Sequence, residues 1–451
     1  MKKTTLALCA LCAILFSFAQ ANHQKRKIIL WSFAENNCEE WKRRKADIDK
    51  KFNIDLQIEL VAQSKFVKKL YTAMIKGEDK PDIIEWMIEN NKILSSDPAL
   101  SFVIPLNQYI TKNGLDKKVL SSRFSWLTYS GNIYGLPHDV HPTVLVYNDT
   151  VWKRVGVDVS KIETWDEFFE ESKKLQKLKR NGQQVHFALP SGNEGLGDSM
   201  FMIWQQTGAQ ILTKDGKPAF NSPEFVEFVR KWEKWMNTGT MITWDWGNFS
   251  ELIKDGTYAS YIAPDWWVSQ TDAAAAKGKY DFKIRNLPVY KKGMKYGSSW
   301  GGSFLAIPKG TADPEKIFKI MEHIQYDETS VIERYNETGM IPPLYKLWNH
   351  DVFNNKDKRF GYQKTAQIQI KSASNQPAVL MADHFWNYIA DFNLQYNEYF
   401  IEKRISFNEM FTNTQNNATL RMNTGNAIYR REDDNTNIMN ATDDDEDVYD
   451  E

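Results

Sequence analysis

The chain has few cysteines, little net charge and no long apolar segment after its first residues. It contains three cysteines among 451 residues, and two of them, Cys9 and Cys12, lie close to the amino terminus. No later run approaches the roughly 18 apolar residues that a membrane-spanning helix needs. The formal net charge is -1, without a marked basic stripe. These absences argue against a disulfide-stapled domain, a membrane-embedded body and a nucleic-acid-binding protein.

The amino terminus has the features of a secretory signal peptide. Two lysines precede an apolar run over residues 6–18, and residues 19–21 read Ala-Gln-Ala, the small-x-small pattern of a cleavage site. We therefore expect residues 1–21 to be removed and the mature chain to be soluble in the periplasm or outside the cell. A lipid anchor on Cys9 or Cys12 is the alternative, but leucine precedes each cysteine where a small residue is expected.

Cleavage leaves Cys38 alone, so no intramolecular disulfide can form and stability must come from burial. The remaining chain of some 430 residues is longer than a single core usually supports, which favours two domains. Residues 431–451 carry ten acidic residues and one arginine without any helical or strand period. Because of this composition and missing period we expect the tail to be disordered. We expect no calcium site in it, because it lacks the spaced ligands and glycine of a calcium loop.

Strand-like and helical segments alternate along the chain, which predicts an α/β fold. Residues 27–33, 54–61, 82–86 and 185–189 are the strand candidates. Thr164 and Glu167 have the spacing of a capping box, and Pro223 stands at a helix start. Asp313 and Pro314 are typical of another helix start, which precedes a one-sided apolar stripe.

A series of glycine, proline and aromatic motifs carries a family resemblance. Singly they are weak, but their order and spacing are specific. The motifs are Gly-Asn-Ile-Tyr-Gly-Leu-Pro at 131–137, Val-Leu-Val-Tyr-Asn-Asp at 144–149, Gly-Val-Asp at 156–158, Thr-Trp-Asp-Glu-Phe at 164–168, Asp-Gly-Thr-Tyr-Ala at 255–259 with Pro-Asp-Trp at 264–266, Leu-Pro at 287–288, Gly-Gly at 301–302, Leu-Ala-Ile-Pro-Lys at 305–309 and Gly-Met-Ile-Pro-Pro-Leu at 339–344. Most of the mature chain resembles the extracellular family 1 solute-binding proteins, the sugar-binding components of bacterial ABC importers that include maltodextrin-binding protein.

The resemblance implies a two-lobed, type II periplasmic-binding-protein fold with a ligand cleft between lobes joined by hinge strands. The amino-terminal lobe would comprise residues 22–138 and 298–344, and the carboxyl-terminal lobe residues 139–297 and 345–430. Crossings would lie near residues 137–140, 286–298 and 342–345. The partners would be a small carbohydrate and a membrane permease, with the binding protein itself a monomer.

Sixteen tryptophans exceed what a core requires. Flat indoles suit the apolar face of a pyranose ring, and carboxylates and amides suit its hydroxyls. Strand-end placement favours ligand contact for Trp86, Trp266, Trp267 and Trp300. Helical patterns favour the core for Trp152, Trp165, Trp232 and Trp235, while Trp31, Trp126, Trp244 and Trp246 are left undecided.

Polar candidates follow from the same resemblance. Glu35 and Glu89 follow the first and third strands, and Asp139 lies in the first crossing segment. The remaining candidates are His141 near Asp139, Asn193 in a loop after a strand, and Asp265 and Gly301 within family-like motifs. A solvated surface carboxylate is the alternative interpretation of each acid.

Enzyme motifs are weak. Residues 297–301 match Gly-x-Ser-x-Gly, but a strand is predicted after Ser299 where a nucleophile elbow requires a helix. His138 and His141 lie in an extended context with Pro142 and lack a zinc-site pattern, and the glycines of residues 192–197 are wrongly spaced for a dinucleotide site. We expect no catalysis, metal or cofactor.

The preferred function is carbohydrate binding for delivery to a permease. A secreted glycoside hydrolase would also combine tryptophans with paired carboxylates. A binding protein for a non-sugar solute such as a polyamine would use acids with aromatic boxes. The residues alone leave these alternatives open, and the family resemblance favours the sugar.

Overall fold

A computed structural model describes residues 25–77, 79–88, 102–191, 195–270 and 279–424. The predicted signal peptide, the acidic tail, Glu89 and Asn193 lie outside the described residues. The strands are β1 (Arg26–Ser32), β2 (Ile54–Leu60), β3 (Ile83–Met87), β4 (Thr128–Tyr129), β5 (Asn132–Ile133), β6 (Leu136–Pro137), β7 (Thr143–Asn148), β8 (Lys179–Arg180), β9 (Gln183–Gln184), β10 (Leu189–Ser191), β11 (Met241–Thr243), β12 (Ser260–Pro264), β13 (Phe282–Arg285) and β14 (Ser303–Ala306).

Helices separate most of these strands, with short 3₁₀ turns between them. They are α1 (Glu35–Phe52), α2 (Gln63–Lys76), α3 (Asn107–Lys112), α4 (Ser121–Ser125), α5 (Asp149–Arg154), α6 (Trp165–Ser172), α7 (Asp198–Gln206), α8 (Pro223–Met236), α9 (Phe249–Lys254), α10 (Asp265–Gln270), α11 (Pro314–Tyr326), α12 (Glu328–Thr338), α13 (Thr365–Ser374), α14 (Phe385–Tyr396) and α15 (Phe407–Thr424).

The described chain divides into two compact units. The smaller unit comprises residues 25–85 and 310–324, and the larger unit residues 86–309 and 325–424. In the smaller unit β1 pairs in parallel with both β2 and β3. Parallel neighbours need crossover connections, and α1 and α2 provide them. Burial of each fully buried aliphatic side chain, such as Ile28 or Leu30, stabilises the folded state by about 1.5–3 kcal/mol.

In the larger unit β7 is the middle strand of an antiparallel sheet, between β12 and β13. All six of its residues are buried, as expected for an apolar strand covered on both faces. The register pairs Pro264, the last residue of β12, with Thr143, the first residue of β7. This antiparallel register brings the residue after β12, Asp265, next to the segment that precedes β7.

Two further pairings act on the same segment. β6 pairs with β14 through Pro137 and Phe304, and the His138 amide donates to the Ser303 carbonyl at 2.9 Å. The Thr143 amide donates to the Ser298 carbonyl at 3.0 Å. Residues 138–142 are therefore held alongside residues 298–303.

Most of the local predictions are confirmed. The first three strand candidates correspond to β1, β2 and β3, and α8 begins at Pro223. Thr164 and Glu167 make both hydrogen bonds of a capping box, and the Asp313 carboxylate accepts from the Lys316 amide at 3.1 Å. Four residues of the predicted α11 stripe are fully buried, namely Ile317, Ile320, Met321 and Ile324.

The prediction of a strand at residues 185–189 is wrong. Strand β10 starts at Leu189 and pairs in parallel with β11. Upstream, Phe187 makes only an isolated bridge to Tyr258, and the His186 ring bonds the Gly256 carbonyl at 2.6 Å. These contacts with residues 256–258 replace a continuous ladder. The predicted lobe boundaries remain a prediction.

Candidate functional site

The centre of the candidate site is Asp139, in the segment between β6 and β7. Only 3% of this residue is exposed. Its carboxylate lies 3.0 Å from His141 Nε2, 3.3 Å from His138 Nδ1 and 3.3 Å from Arg123 Nη2. Burial acts to raise the pKa of Asp139, but the positive charge of His141 and the hydrogen bonds from both histidines hold it well below its usual value.

His141 bridges two carboxylates. Its Nε2 faces Asp139, and its Nδ1 lies 2.6 Å from Asp265 Oδ1. Burial acts to lower the pKa of His141, but the two carboxylates outweigh it and raise the pKa to about 9. The imidazole is therefore charged at neutral pH and donates from both nitrogens. Its backbone φ of +50° is unusual for a residue other than glycine.

Asp265 is completely buried at the start of α10. Besides His141, its Oδ1 accepts from the Trp266 amide at 2.7 Å, and its Oδ2 accepts from the Ile341 amide at 2.6 Å. Buried charges are tolerated when they are paired and hydrogen-bonded, and this carboxylate meets both conditions. We call Asp139, His138, His141, Arg123 and Asp265 the Asp139 network.

Three tryptophans form an indole stack next to the network. The indole rings of Trp246, Trp266 and Trp267 are nearly parallel to one another, with interplanar angles from 1° to 7°. The His141 ring lies edge-on to Trp266 with centroids 6.4 Å apart. Trp267 is buried, Trp266 is partly exposed and Trp246 is 51% exposed. Part of the indole surface of the stack is therefore accessible to solvent.

A second aromatic group includes Trp300. Phe201 packs against Trp300 at 5.3 Å and against Trp386 at 5.8 Å, and Trp386 stacks on Trp126 at 6.2 Å. Trp300 and Trp386 are partly exposed. The Trp266 indole donates to the Trp300 carbonyl at 3.4 Å, which links the two aromatic groups.

Gly301 and Gly302 leave room for the Asp139 network. The Gly301 carbonyl accepts from Arg123 Nη2 at 3.3 Å. Gly302 has φ +132°, and a Cβ at this position would lie 2.1 Å from Arg123 Nη2 and 3.0 Å from Asp139 Oδ1. A larger residue at position 302 would therefore displace the guanidinium from the carboxylate.

The arrangement of this site suits ligand binding and not acid–base catalysis. Both buried carboxylates already have cationic or amide partners, so neither has the free proton-transfer position that a general acid or base needs. The solvent-accessible part of this site is indole surface, from Trp246 and Trp266. Such a surface suits a ligand with an apolar face and hydroxyl groups around its rim.

A family model for the bacterial extracellular solute-binding protein matches residues 44–361. The chain belongs to this family. The arabinooligosaccharide-binding protein of Bacillus subtilis strain 168 is 26% identical over 303 residues, which cover 65% of this chain and 67% of that protein. The corresponding protein of Halalkalibacterium halodurans is 22% identical over 339 residues, covering 72% and 73%.

The solved structure of the sugar-binding protein MalE from Xanthomonas citri has the same fold. Its TM-score is 0.69 at 16% identity, and the alignment covers 90% of this solute-binding protein and 99% of MalE. The predicted family resemblance and the α/β periplasmic-binding-protein fold class are confirmed. The family and these relatives are binding proteins rather than enzymes, and the family operates in the periplasm or outside the cell. In the described residues no helix is long and apolar enough to cross a membrane.

The larger unit brings together seven of the predicted site residues. They are Asp139, His141, Asp265, Trp266, Trp267, Trp300 and Gly301, joined by the contacts given above. Trp86, also predicted to contact ligand, is 1% exposed. Glu35 is exposed in the first turn of α1 in the smaller unit. Of the undecided tryptophans, Trp244 is buried and packs on Trp267 at 4.7 Å, Trp246 joins the stack, and Trp31 and Trp126 are buried.

Sequence reasoning missed Arg123 and Trp386. Arg123 lies in the short polar helix Ser121–Ser125, where nothing local indicates that its side chain is 1% exposed. Trp386 lies in the first turn of α14, a position that resembles ordinary helical packing. The tryptophan count was the only available signal, and it did not separate Trp386 from the core tryptophans.

Proposed function

We propose that this protein binds a mono- or oligosaccharide on the indole stack and delivers it to the membrane permease of an ABC importer. The observation that carries the proposal is the parallel arrangement of Trp246 and Trp266, partly open to solvent, next to the Asp139 network. Stacking of a sugar ring on an indole buries the apolar C–H face of the sugar and leaves its hydroxyls at the edge for hydrogen bonds. Trp300 would supply a second aromatic contact.

The names of the relatives support this ligand class. The curated proteins of Bacillus subtilis and Halalkalibacterium halodurans are named for binding arabinooligosaccharides, and MalE of Xanthomonas citri is a sugar-binding protein. An arabinooligosaccharide is therefore the first ligand to test. A membrane permease follows as the partner because importer-associated binding proteins hand over their solute.

The internal pairing of the acids favours a neutral sugar over a polyamine. A polyamine site needs carboxylates that can face the cationic ligand. Asp139 and Asp265 are 3% and 0% exposed and already contact His141. The same pairing disfavours a glycoside hydrolase, which needs two carboxyl groups free to flank the scissile bond.

We further propose secretion through the signal peptide of residues 1–21, a monomeric state and hinge closure on binding between the lobes predicted from the sequence. Closure would complete contacts that exist only in the closed form, so ligand would shift the population toward it. Small-angle scattering should then give a smaller radius of gyration with ligand than without.

A ligand screen tests the proposal directly. Arabinooligosaccharides, maltooligosaccharides, their monosaccharides and spermidine are tested by thermal shift and then by calorimetric titration. A ligand that binds only the folded state raises the melting temperature by mass action. A shift with a sugar, together with no release of new reducing ends, supports the proposal. A shift with spermidine alone would contradict it, and cleavage of the sugar would establish a hydrolase.

A further inference from the structure

The larger unit contains a cavity of about 410 Å³ with Asp265 in its wall. Its walls include Asp265, Tyr335 of α12, and Thr365 and Gln369 of α13, with Asp357 and Arg359 at its edge. The volume falls in the range of small-molecule sites in proteins. We call it the Asp265 cavity.

Three charged groups of the cavity wall, Asp265, Asp357 and Arg359, are already paired, and the other three, Glu337, Lys356 and Lys358, are exposed to water. The Arg359 guanidinium forms a two-pronged contact with Asp357, through Nε to Oδ1 at 3.0 Å and Nη2 to Oδ2 at 2.7 Å. Asp265 is bound to His141 and to two backbone amides. An ionic ligand would have to compete with these internal partners.

Neutral polar groups remain unused in the cavity. Thr365 and Gln369 are one helical turn apart on α13, so both project on the same side of the helix. They are 8% and 3% exposed. Within the described part of the chain, neither side chain has a hydrogen-bond partner. Both side chains line the cavity, so their polar atoms are available for hydrogen bonds to a ligand there.

Tyr335 contributes a hydroxyl and an aromatic surface. Burial, with a smaller contribution from the negative charge of Asp357, raises the pKa of Tyr335 to about 12. The phenol therefore stays protonated at neutral pH and can both donate and accept. The ring is held in place by Phe353, with centroids 4.4 Å apart.

We propose that the Asp265 cavity is a second binding site, for a small neutral polyhydroxy compound of the size of a cyclic polyol or a monosaccharide. The amide of Gln369 and the hydroxyls of Thr365 and Tyr335 all donate and accept, as adjacent hydroxyl groups of such a ligand require. The side chains that would bond this ligand belong to α12 and α13 and not to the indole stack, while Asp265 lies in the cavity wall and also binds the Trp266 amide.

The experiment uses the full chain and myo-inositol, a cyclic polyol that is not a sugar, in calorimetric titration and saturation-transfer NMR. Gln369→Leu removes the amide at similar volume, and Thr365→Val removes the hydroxyl. Each should weaken binding of the probe by about tenfold, as expected for a lost hydrogen bond to a ligand. Lys371→Ala, an exposed residue of the same helix that does not line the cavity, is the control and should leave probe binding unchanged.

The melting temperature provides an independent measurement. Gln369→Leu should change the stability of the unliganded protein little, because the amide makes no hydrogen bond within the protein that the substitution would break. If Gln369→Leu nevertheless fails to fold, Thr365→Val alone decides. The proposal is overturned if myo-inositol does not bind the wild type at millimolar concentration, if the α13 variants bind it as well as the wild type does, or if Trp266→Ala abolishes its binding.

Discussion

His141 Nδ1 lies 2.6 Å from Asp265 Oδ1, while the opposite nitrogen of the same ring lies 3.0 Å from Asp139. One imidazolium thus connects the segment that precedes β7 with the first residue of α10. Asp265 also binds the amides of Trp266 and Ile341, so the ion pair fixes the backbone that carries the proposed sugar contact.

The first prediction is that the folded protein becomes less stable as the pH rises above neutrality. Folding raises the pKa of His141 from 6.5 to about 9, so the charged ring stabilises the folded state fully below about pH 6.5. This contribution is lost as the pH rises through about 9. Each pKa unit corresponds to about 1.4 kcal/mol, so the free energy of unfolding should fall by up to about 3 kcal/mol across this range.

Urea unfolding at a series of pH values measures this decline. His141→Gln keeps a neutral polar side chain and should lack most of it. Burial lowers the pKa of His186 and His384, so these residues titrate on the acid side and do not contribute to the alkaline loss. Equal alkaline declines in the wild type and in His141→Gln would show that another group is responsible.

The second prediction concerns Asp139→Asn. The change keeps the shape but leaves Arg123 and His141 short of a negative charge in a buried site. Breaking one partner of a buried pair costs about 3–5 kcal/mol. The matched control is Glu170→Gln, which removes an exposed pair with Lys173 and should cost at most about 1 kcal/mol. Equal urea midpoints for the two variants would contradict the structural role of Asp139.

Much of the local structure could be predicted because its causes are local. The capping box of α6 depends on two residues three positions apart, and the α11 stripe depends on a single helical period. The motif order also located Trp266 and Asp139, which the structure brings to one place through the pairing of β7 with β12.

The environment of Asp139 could not be predicted, because it depends on tertiary register. Asp139 was expected to accept from sugar hydroxyls, and the structure surrounds its carboxylate with His138, His141 and Arg123 instead. The guanidinium of Arg123 reaches Asp139 from α4, and no periodic pattern in the sequence relates these two positions. Its role toward the sugar is therefore proposed to be indirect, through the position of Trp266.

The third prediction compares two glycines with positive φ. At Gly302 an alanine Cβ would lie 2.1 Å from Arg123 Nη2, whereas at Gly293, with φ +83°, it would meet nothing within 4 Å. Gly293→Ala should cost about 1 kcal/mol from backbone strain alone. Gly302→Ala should cost about 1–3 kcal/mol more, because it also displaces a buried side chain. Thermal unfolding of both variants measures the difference, and equal costs would mean that Arg123 moves away freely.

The last prediction separates the two accessible tryptophans of the indole stack. Trp246 is 51% exposed, so Trp246→Ala should change the melting temperature of the unliganded protein little. Its loss should still weaken sugar binding by about tenfold, since it removes aromatic surface from the proposed site. Trp266 is more enclosed and lies against His141, so Trp266→Ala should weaken binding further, by about thirtyfold, a cost of about 2 kcal/mol.

Calorimetric titration with the sugar found in the screen measures both effects. Tyr362→Ala is the control, because this aromatic residue is 59% exposed and lies outside the indole stack. It should bind the sugar as the wild type does. Wild-type affinity in both tryptophan variants would place the sugar elsewhere on the protein, whereas a collapse of unliganded stability in Trp266→Ala would assign that indole to the core. If Trp246→Ala binds the sugar more weakly while its melting temperature is unchanged, the ligand must contact the indole stack directly.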